Sequence, residues 1–273
     1  MLEVALTPQL FAIFAHLIEE TCGLHYPPQD RELLGSKLVS QAQEAGYPTL
    51  LDYYYRLRYD DPEGVERRAL VQALVVHETY FFRELVALEQ LVDRHIAPLV
   101  RSGGRARVWS AACSTGEEPY TLAILLAARG ILDKVEIVGS DLSEAAILRA
   151  RANKFGRRSL RGGHPVALAA RYLEVTGNSL TTVPRIRDAV RFHVLNLLDE
   201  EGIRRLGTFD VILCRNVLIY FRDTQIVGVL ERFGNALAPA GLLAVGVSES
   251  LMRFGTAFIC EERGGAFFYQ RRP

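Results

Sequence analysis

Up to about residue 75, apolar side chains recur at helical spacing; beyond about residue 105 they gather in short, nearly unbroken runs. In the first stretch Leu10, Phe11, Phe14, Leu17 and Ile18 form one stripe, with Thr7 placed to cap, Pro8 in the first turn and Gly23 as the stop. A second helix is predicted from near Asp30, carrying Leu33, Leu34, Lys37 and Leu38, to Gly46. "YPTLLDYYYRLRYDDPEG" predicts a third that ends before Pro62, and Leu70, Leu74 and Val75 mark a fourth from Glu63. Residues 1–75 therefore read as an all-α domain.

The runs "ARVWSAA", "VEIVGSD", "VRFHVLN", "FDVILCRN" and "GLLAVGVSES" predict strands that are apolar on both faces, as parallel strands are. Segments read as amphipathic helices lie between them, such as "EPYTLAILLAARG" and "RDTQIVGVLERFGNALA". This alternation predicts an α/β doubly wound sheet over 76–273, which binds ligands beyond the carboxyl ends of its strands. The Gly-, Arg- and Ser-rich stretch from Phe155 to Pro184 breaks the pattern and predicts a small inserted antiparallel β subdomain, centred on about 168–190.

Composition narrows the function. Lys+Arg and Asp+Glu both number 32, so the chain lacks the excess positive charge of general nucleic-acid binders. No stretch reaches the roughly 20 apolar residues of a membrane span, and the N-terminus lacks the basic start and apolar run of a signal peptide. Cys22, Cys113, Cys214 and Cys260 are scattered, which predicts reduced, buried thiols and no metal site. A cytoplasmic monomer that neither inserts into membrane nor binds nucleic acid is expected.

"VWSAACSTGEEPYTLAILLA", from Val108 to Ala127, joins a strand to a helix through a bend with one glycine, Gly116. A dinucleotide fold would present several glycines to a pyrophosphate. Here Glu117 and Glu118 stand at the expected mouth of the cleft. Two readings are open: the acids complement the helix dipole, or they receive a ligand with a cationic, amine-bearing end, such as S-adenosylmethionine. Asp141 ends the next strand and is placed either to grip ribose hydroxyls or to cap a helix, in competition with Ser143. Arg215, Asn216 and Tyr220 follow another buried strand, where cleft residues and surface loop are both open. In "VVHETYFFRE", His77, Thr79 and Arg83 interleave with Tyr80, Phe81 and Phe82, and the Arg83 fork suits a carboxylate.

"HETYFFRE", "RVWSAACSTGEEPYTLA", "GSDLSEAAILRARA", "FDVILCRNVLIYF" and "GLLAVGVSES", in this order, resemble the motifs of the CheR family across nearly the whole chain. These are methyltransferases that esterify glutamate side chains of methyl-accepting chemotaxis receptors. The resemblance implies a Rossmann-like class I methyltransferase sheet, S-adenosyl-L-methionine as cofactor and S-adenosyl-L-homocysteine as its product. It places cofactor contacts at Thr79, Arg83, Glu118, Asp141, Asn196, Leu197, Arg215 and Asn216, and at His77, where the family usually has Asn. Cys113 stands for a small Ala, and Val247 for the His of the usual Gly-His-Ser-Glu. Catalysis falls to Arg83 and Tyr220, which align donor and acceptor; a carboxylate nucleophile needs no general base.

The partner implied is a methyl-accepting receptor's cytoplasmic domain, docked on the β subdomain; Arg31, Lys37, Arg56, Arg58, Arg67 and Arg68 leave two readings of the helical domain open, a second docking face or a solvated charged surface. The segment "VTGNSLTTVPRIRDAVRF" looks shorter than in relatives that grip a C-terminal receptor peptide, so a tether-independent enzyme is expected. The departures at His77 and Val247 leave a rival, a signalling scaffold that binds the cofactor with weak catalysis. A nucleotide-dependent oxidoreductase is the second rival, against which the missing glycine fingerprint counts.

Overall fold

The computed structural model describes residues 6–255 and 257–271. The chain divides into two compact units: residues through Val76 with Tyr220–Gln225, and His77–Ile219 with the residues from Ile226 onward.

The first unit holds α1 (Pro8–Cys22), α2 (Arg31–Glu44), α3 (Leu50–Tyr59) and α4 (Val65–Leu74), close to the predicted helices. Thr7 caps α1 as expected, its hydroxyl oxygen accepting from the N–H of Leu10 at 3.2 Å. Gly23 ends the helix at φ 79, and a Cβ there would stand 3.1 Å from the Phe221 ring, so both conformation and space demand glycine. Phe14, Ile18, Leu34, Leu38, Tyr53 and Leu57 bury the apolar stripes against one another.

The basic residues expected to form a docking face are mostly engaged by partners within this unit, and Arg31, Arg58 and Arg68 remain exposed. Lys37 Nζ donates to the carbonyl of Leu74 at 3.0 Å, and burial lowers its pKa. Arg58 pairs with Glu20, Arg56 with Asp60 and Arg67 with Asp61, while Arg68 donates to the carbonyl of Glu63. Lys37 is a cross-link between α2 and α4 and not a free surface charge.

The second unit is built on a seven-stranded sheet in the order β6-β2-β1-β7-β8-β10-β9. Its strands are β1 (Ala106–Ala111), β2 (Val135–Asp141), β6 (Val190–Val194), β7 (Phe209–Cys214), β8 (Leu237–Val245), β9 (Phe258–Arg263) and β10 (Ala266–Arg271). The first five in sheet order run parallel, and β10 and β9 are antiparallel. The helices are α5 (Leu85–Leu91), α6 (Ala97–Arg101), α7 (Glu117–Ala128), α8 (Glu144–Ala152), α9 (Val166–Tyr172), α10 (Pro184–Arg187), α11 (Glu200–Leu206) and α12 (Asp223–Ala236). The pattern reading left 85–104 and the last two strands unassigned. It also read α7 as amphipathic. Here α7 is buried almost all round, because α9 and α10 cover it as well as the sheet. Among the described residues no helix is long and apolar enough to cross a membrane. Cys22, Cys113 and Cys214 are buried free thiols, as expected, whereas Cys260 is only partly buried.

The inserted subdomain is a three-stranded antiparallel sheet, β3-β5-β4, with β3 (Phe155–Gly156), β4 (Leu173–Thr176) and β5 (Ser179–Thr182). It therefore runs from 155 to 182, beginning before 168, while Val190 opens β6 of the main sheet. Gly177 and Asn178 alone join β4 to β5, with Gly177 at φ 58.

Candidate functional site

The carboxyl ends of β6, β2, β1, β7 and β8 lie side by side, with β1 at the point where successive crossovers leave in opposite directions. The loops that follow these strands carry most of the predicted site residues. Seven described non-glycine residues have positive φ, and five of them, Phe82, Glu84, Ala112, Ser114 and Asn216, fall in three of these motifs. Backbone held in this sparsely populated region gathers where function needs a fixed shape.

The bend after β1 is held from beneath. Cys113 N–H donates to the carbonyl of Ser140, and Ser114 N–H donates to Asp141 Oδ2 at 2.8 Å. Gly116 is at φ 96, and a Cβ there would stand 2.9 Å from that of Ala150, so this position admits no side chain. The Cys113 thiol fits because Gly139 on β2 has no Cβ to meet it.

Asp141 clamps two loops. Its Oδ1 accepts from Ser143 N–H at 2.9 Å, and Ser143 itself caps α8 through Ala146 N–H, so the capping role belongs to Ser143. Burial raises the Asp141 pKa above the ordinary aspartate value, against the lowering effect of the Ser143 and Ser114 N–H groups and of His77. His77 Nδ1 lies 3.5 Å from Ser114 Oγ. Burial lowers its pKa despite Asp141, which favours the neutral imidazole. Val194 pairs with Asp141 across the β2–β6 ladder, which brings Asn196 and Leu197 alongside. Asn196 Oδ1 accepts from Leu198 N–H at 3.0 Å and shapes the turn, and Leu197 is buried.

The two adjacent acids diverge. Glu118 faces the crevice: its Oε1 accepts from Ser110 Oγ at 2.7 Å and its Oε2 from Arg215 Nη1 at 2.8 Å. Glu117, expected at the mouth, is instead only 2% exposed. It accepts from Thr115 Oγ1 at 2.7 Å and from Ser159 Oγ of the insert at 2.8 Å. Burial raises its pKa over the opposing effect of these hydroxyls. A carboxyl raised by folding contributes stability that is complete below its unfolded pKa and is lost as pH rises through the folded one. Glu117→Gln keeps the shape, and both hydroxyls can reorient to serve the amide. The variant is expected to melt close to wild type at pH 5 and to gain on it by up to about 1 kcal/mol at pH 8, read from thermal melts at both pH values.

Arg215 enters the interior with its side chain only 2% exposed. Nη2 donates to Glu84 Oε2 at 2.9 Å and to the carbonyl of Arg83 at 3.0 Å, whereas Nε is buried without a hydrogen-bond partner. Burial lowers the Arg215 pKa, but Glu118 and Glu84 outweigh it and leave it raised. Asn216 Nδ2 lies 3.4 Å from Glu84 Oε1, and the Asn216 N–H donates to Glu249 Oε2 at 2.6 Å. Glu249 also accepts from the N–H groups of Gly246, Val217 and Ile219, and so stitches the loops after β7 and β8 together.

Thr79 and Arg83 are half-buried, and Arg83 Nη1 donates to the carbonyl of Glu78 at 3.0 Å. The Arg83 segment is pinned by Phe81 N–H on the carbonyl of Ser159 and by Phe82 N–H on Thr121 Oγ1. Tyr220 belongs to the first unit. Its carbonyl accepts from His25 N–H at 2.8 Å, and the residue is 38% exposed.

Sequence reasoning passed over Glu84, Ser110 and Glu249. Ser110 offered a signal, a hydroxyl near the end of an otherwise apolar strand. Glu84 and Glu249 offered little, since an acid before a helix or in a loop ordinarily faces solvent.

The donor set suits S-adenosylmethionine. It offers carboxylates and amides with one orphaned guanidinium N–H, and no glycine nest for a phosphate. Residues 77–264 match the family "CheR methyltransferase, SAM binding domain", and residues 9–75 match "CheR methyltransferase, all-alpha domain". The chain is 33% identical over 263 residues to "Chemotaxis protein methyltransferase 2" of Vibrio cholerae, covering 94% of this chain and 91% of that one. It is 34% identical over 250 residues to "Chemotaxis protein methyltransferase 1" of Pseudomonas aeruginosa, covering 88% and 90%. With the "Chemotaxis protein methyltransferase" of Escherichia coli it shares 32% over 263 residues, covering 93% and 89%. The chain thus belongs to the CheR methyltransferase family, with S-adenosylmethionine as its cofactor.

Proposed function

We propose that the protein methylates glutamate side-chain carboxylates on the cytoplasmic domains of methyl-accepting chemotaxis receptors. The observation that carries this reading is the bend at Ser114–Glu118, where Asp141 accepts from Ser114 N–H and Glu118 accepts from Ser110 and Arg215, inside the segment 77–264 that matches the family's SAM binding domain. The names of the relatives, chemotaxis protein methyltransferases, support a chemotaxis protein as the acceptor.

In this reading Asp141 receives the ribose hydroxyls, Asn196 and Leu197 flank the adenine, and Glu118, Arg215, Asn216, Thr79 and His77 hold the methionine end. S-adenosylmethionine supplies an electrophilic methyl group on a positively charged sulfur. The residues of the chain have no proton to remove, because the acceptor is already a carboxylate. Their work is alignment and the exclusion of water. Arg83 steers the acceptor carboxylate through its fork, and the Tyr220 hydroxyl orients it.

The test joins calorimetry with S-adenosylhomocysteine to transfer of radiolabelled methyl groups onto receptor fragments. Glutamate methyl esters release the label as methanol in mild alkali. Label that survives alkali would refute the carboxylate as acceptor. Arg83→Ala is expected to lower kcat/KM at least about tenfold, and Tyr220→Phe to lower kcat several-fold with S-adenosylhomocysteine affinity unchanged. Full transfer by both variants would remove these two roles.

A further inference from the structure

Glu84 follows Arg83 directly and sits at φ 49, in the left-handed region. Its carboxylate accepts from Arg215 Nη2 at 2.9 Å, from Val247 N–H at 3.4 Å and from Asn216 Nδ2 at 3.4 Å. Arg215 reaches Glu118 with its other terminal nitrogen at 2.8 Å. Side-chain exposures are 2% for Arg215, 17% for Glu84 and 14% for Glu118, so solvent and salt screen this cluster weakly.

Glu118 alone would neutralise Arg215. The second carboxylate leaves one buried and two partly buried ionic groups with one net negative charge. Burial works to raise the Glu84 pKa, yet the Arg215 guanidinium and the Asn216 amide hold it below the ordinary glutamate value, so at neutral pH the charge is present. Arg215, Val247 and Asn216 all donate to this carboxylate, so a neutral amide would keep one acceptor oxygen for them and would need the Asn216 amide to turn its own oxygen toward the new N–H.

We propose that Glu84 is a specificity-determining residue: its charge makes the Glu84–Arg215–Glu118 cluster net negative, so that the cleft favours the cationic methyl donor over its neutral-sulfur product. This rests on the cofactor reading above. Donor and product share the ribose, adenine and amino-acid ends and differ in the methyl group and its positive charge. A fixed negative charge nearby therefore acts on the difference between them, and so helps product to leave once the charge is gone.

Glu84→Gln tests the idea by calorimetry with S-adenosylmethionine and S-adenosylhomocysteine, without reference to turnover. Donor affinity is expected to fall about tenfold more than product affinity. Glu84→Asp, which keeps the charge while shifting the contacts, is expected to preserve the ratio of the two affinities even where both weaken. Equal losses in the Gln variant would overturn the proposal and make Glu84 a positioning residue only. Should the Gln variant not fold, a changed ratio in the Asp variant overturns it instead. Wild-type protein that binds neither ligand would bring down the cofactor reading itself, an outcome distinct from an unchanged ratio.

Discussion

Arg215→Leu is expected to destabilise the second unit by about 3–5 kcal/mol and to abolish measurable binding of S-adenosylhomocysteine. The guanidinium is the counter-charge of both Glu84 and Glu118 and the donor to the carbonyl of Arg83. Its removal leaves two partly buried carboxylates facing each other with no cation between them. For a unit of this size each kcal/mol moves the melting temperature by about 2–4 °C, so a fall on the order of 10 °C is expected in a thermal melt.

The pH dependence gives this prediction a sign. In the wild type the depressed pKa of Glu84 contributes stability that is present above its unfolded value and lost as pH falls through the folded one. Without Arg215 burial, the largest cause, raises the Glu84 pKa against only the Asn216 and Val247 hydrogen bonds, so the deficit of the variant should be larger at pH 8 than at pH 5. Arg215→Lys keeps the charge but loses the fork that spans two carboxylates, and should fall between. A melting temperature for Arg215→Leu within about 2 °C of wild type would show that the cluster does not hold the loops together.

The second large effect is expected at Asp141. Asp141→Ala orphans the N–H groups of Ser114, 9% exposed, and Ser143, fully buried. Leaving such donors unpaired costs about 1–3 kcal/mol each. The variant also loses the proposed ribose acceptor and the anchor of the Ser114–Gly116 bend. Affinity for S-adenosylhomocysteine is expected to fall at least about a hundredfold in calorimetry. Asp141→Asn retains the shape and one oxygen but turns an amide donor toward one of the two N–H groups, so its loss should be smaller. Unchanged affinity in the Ala variant would leave Asp141 as a loop clamp without a part in cofactor binding.

Much of this architecture is written in local pattern. The stripe of Leu10, Phe11, Phe14, Leu17 and Ile18 has the spacing of one helix face, and apolar runs such as "FDVILC" suit a strand covered on both faces. The bend at Gly116 and the acid that ends β2 are likewise local, since a turn and a strand terminus need only their own residues. The helices over 85–101 and the strands β9 and β10 escaped because their patterns are short or mixed, and α7 was misread because its covering comes from α9 and α10.

The sequence by itself determined the helical first unit, the main alternation of strands and helices in the second and the loops on which the proposed cofactor residues stand. Tertiary structure alone decided what each charged side chain does. Glu117 and Glu118 are neighbours in the chain, yet successive helical residues point about 100° apart, and only the packing around α7 sends one to Ser159 and the other to Arg215. Lys37 became a strut to Leu74, and Glu84 became the second partner of Arg215, 131 residues away. Periodicity is a property of a few turns of chain. Charge pairing is set by which distant surfaces meet, and no local pattern carries that information.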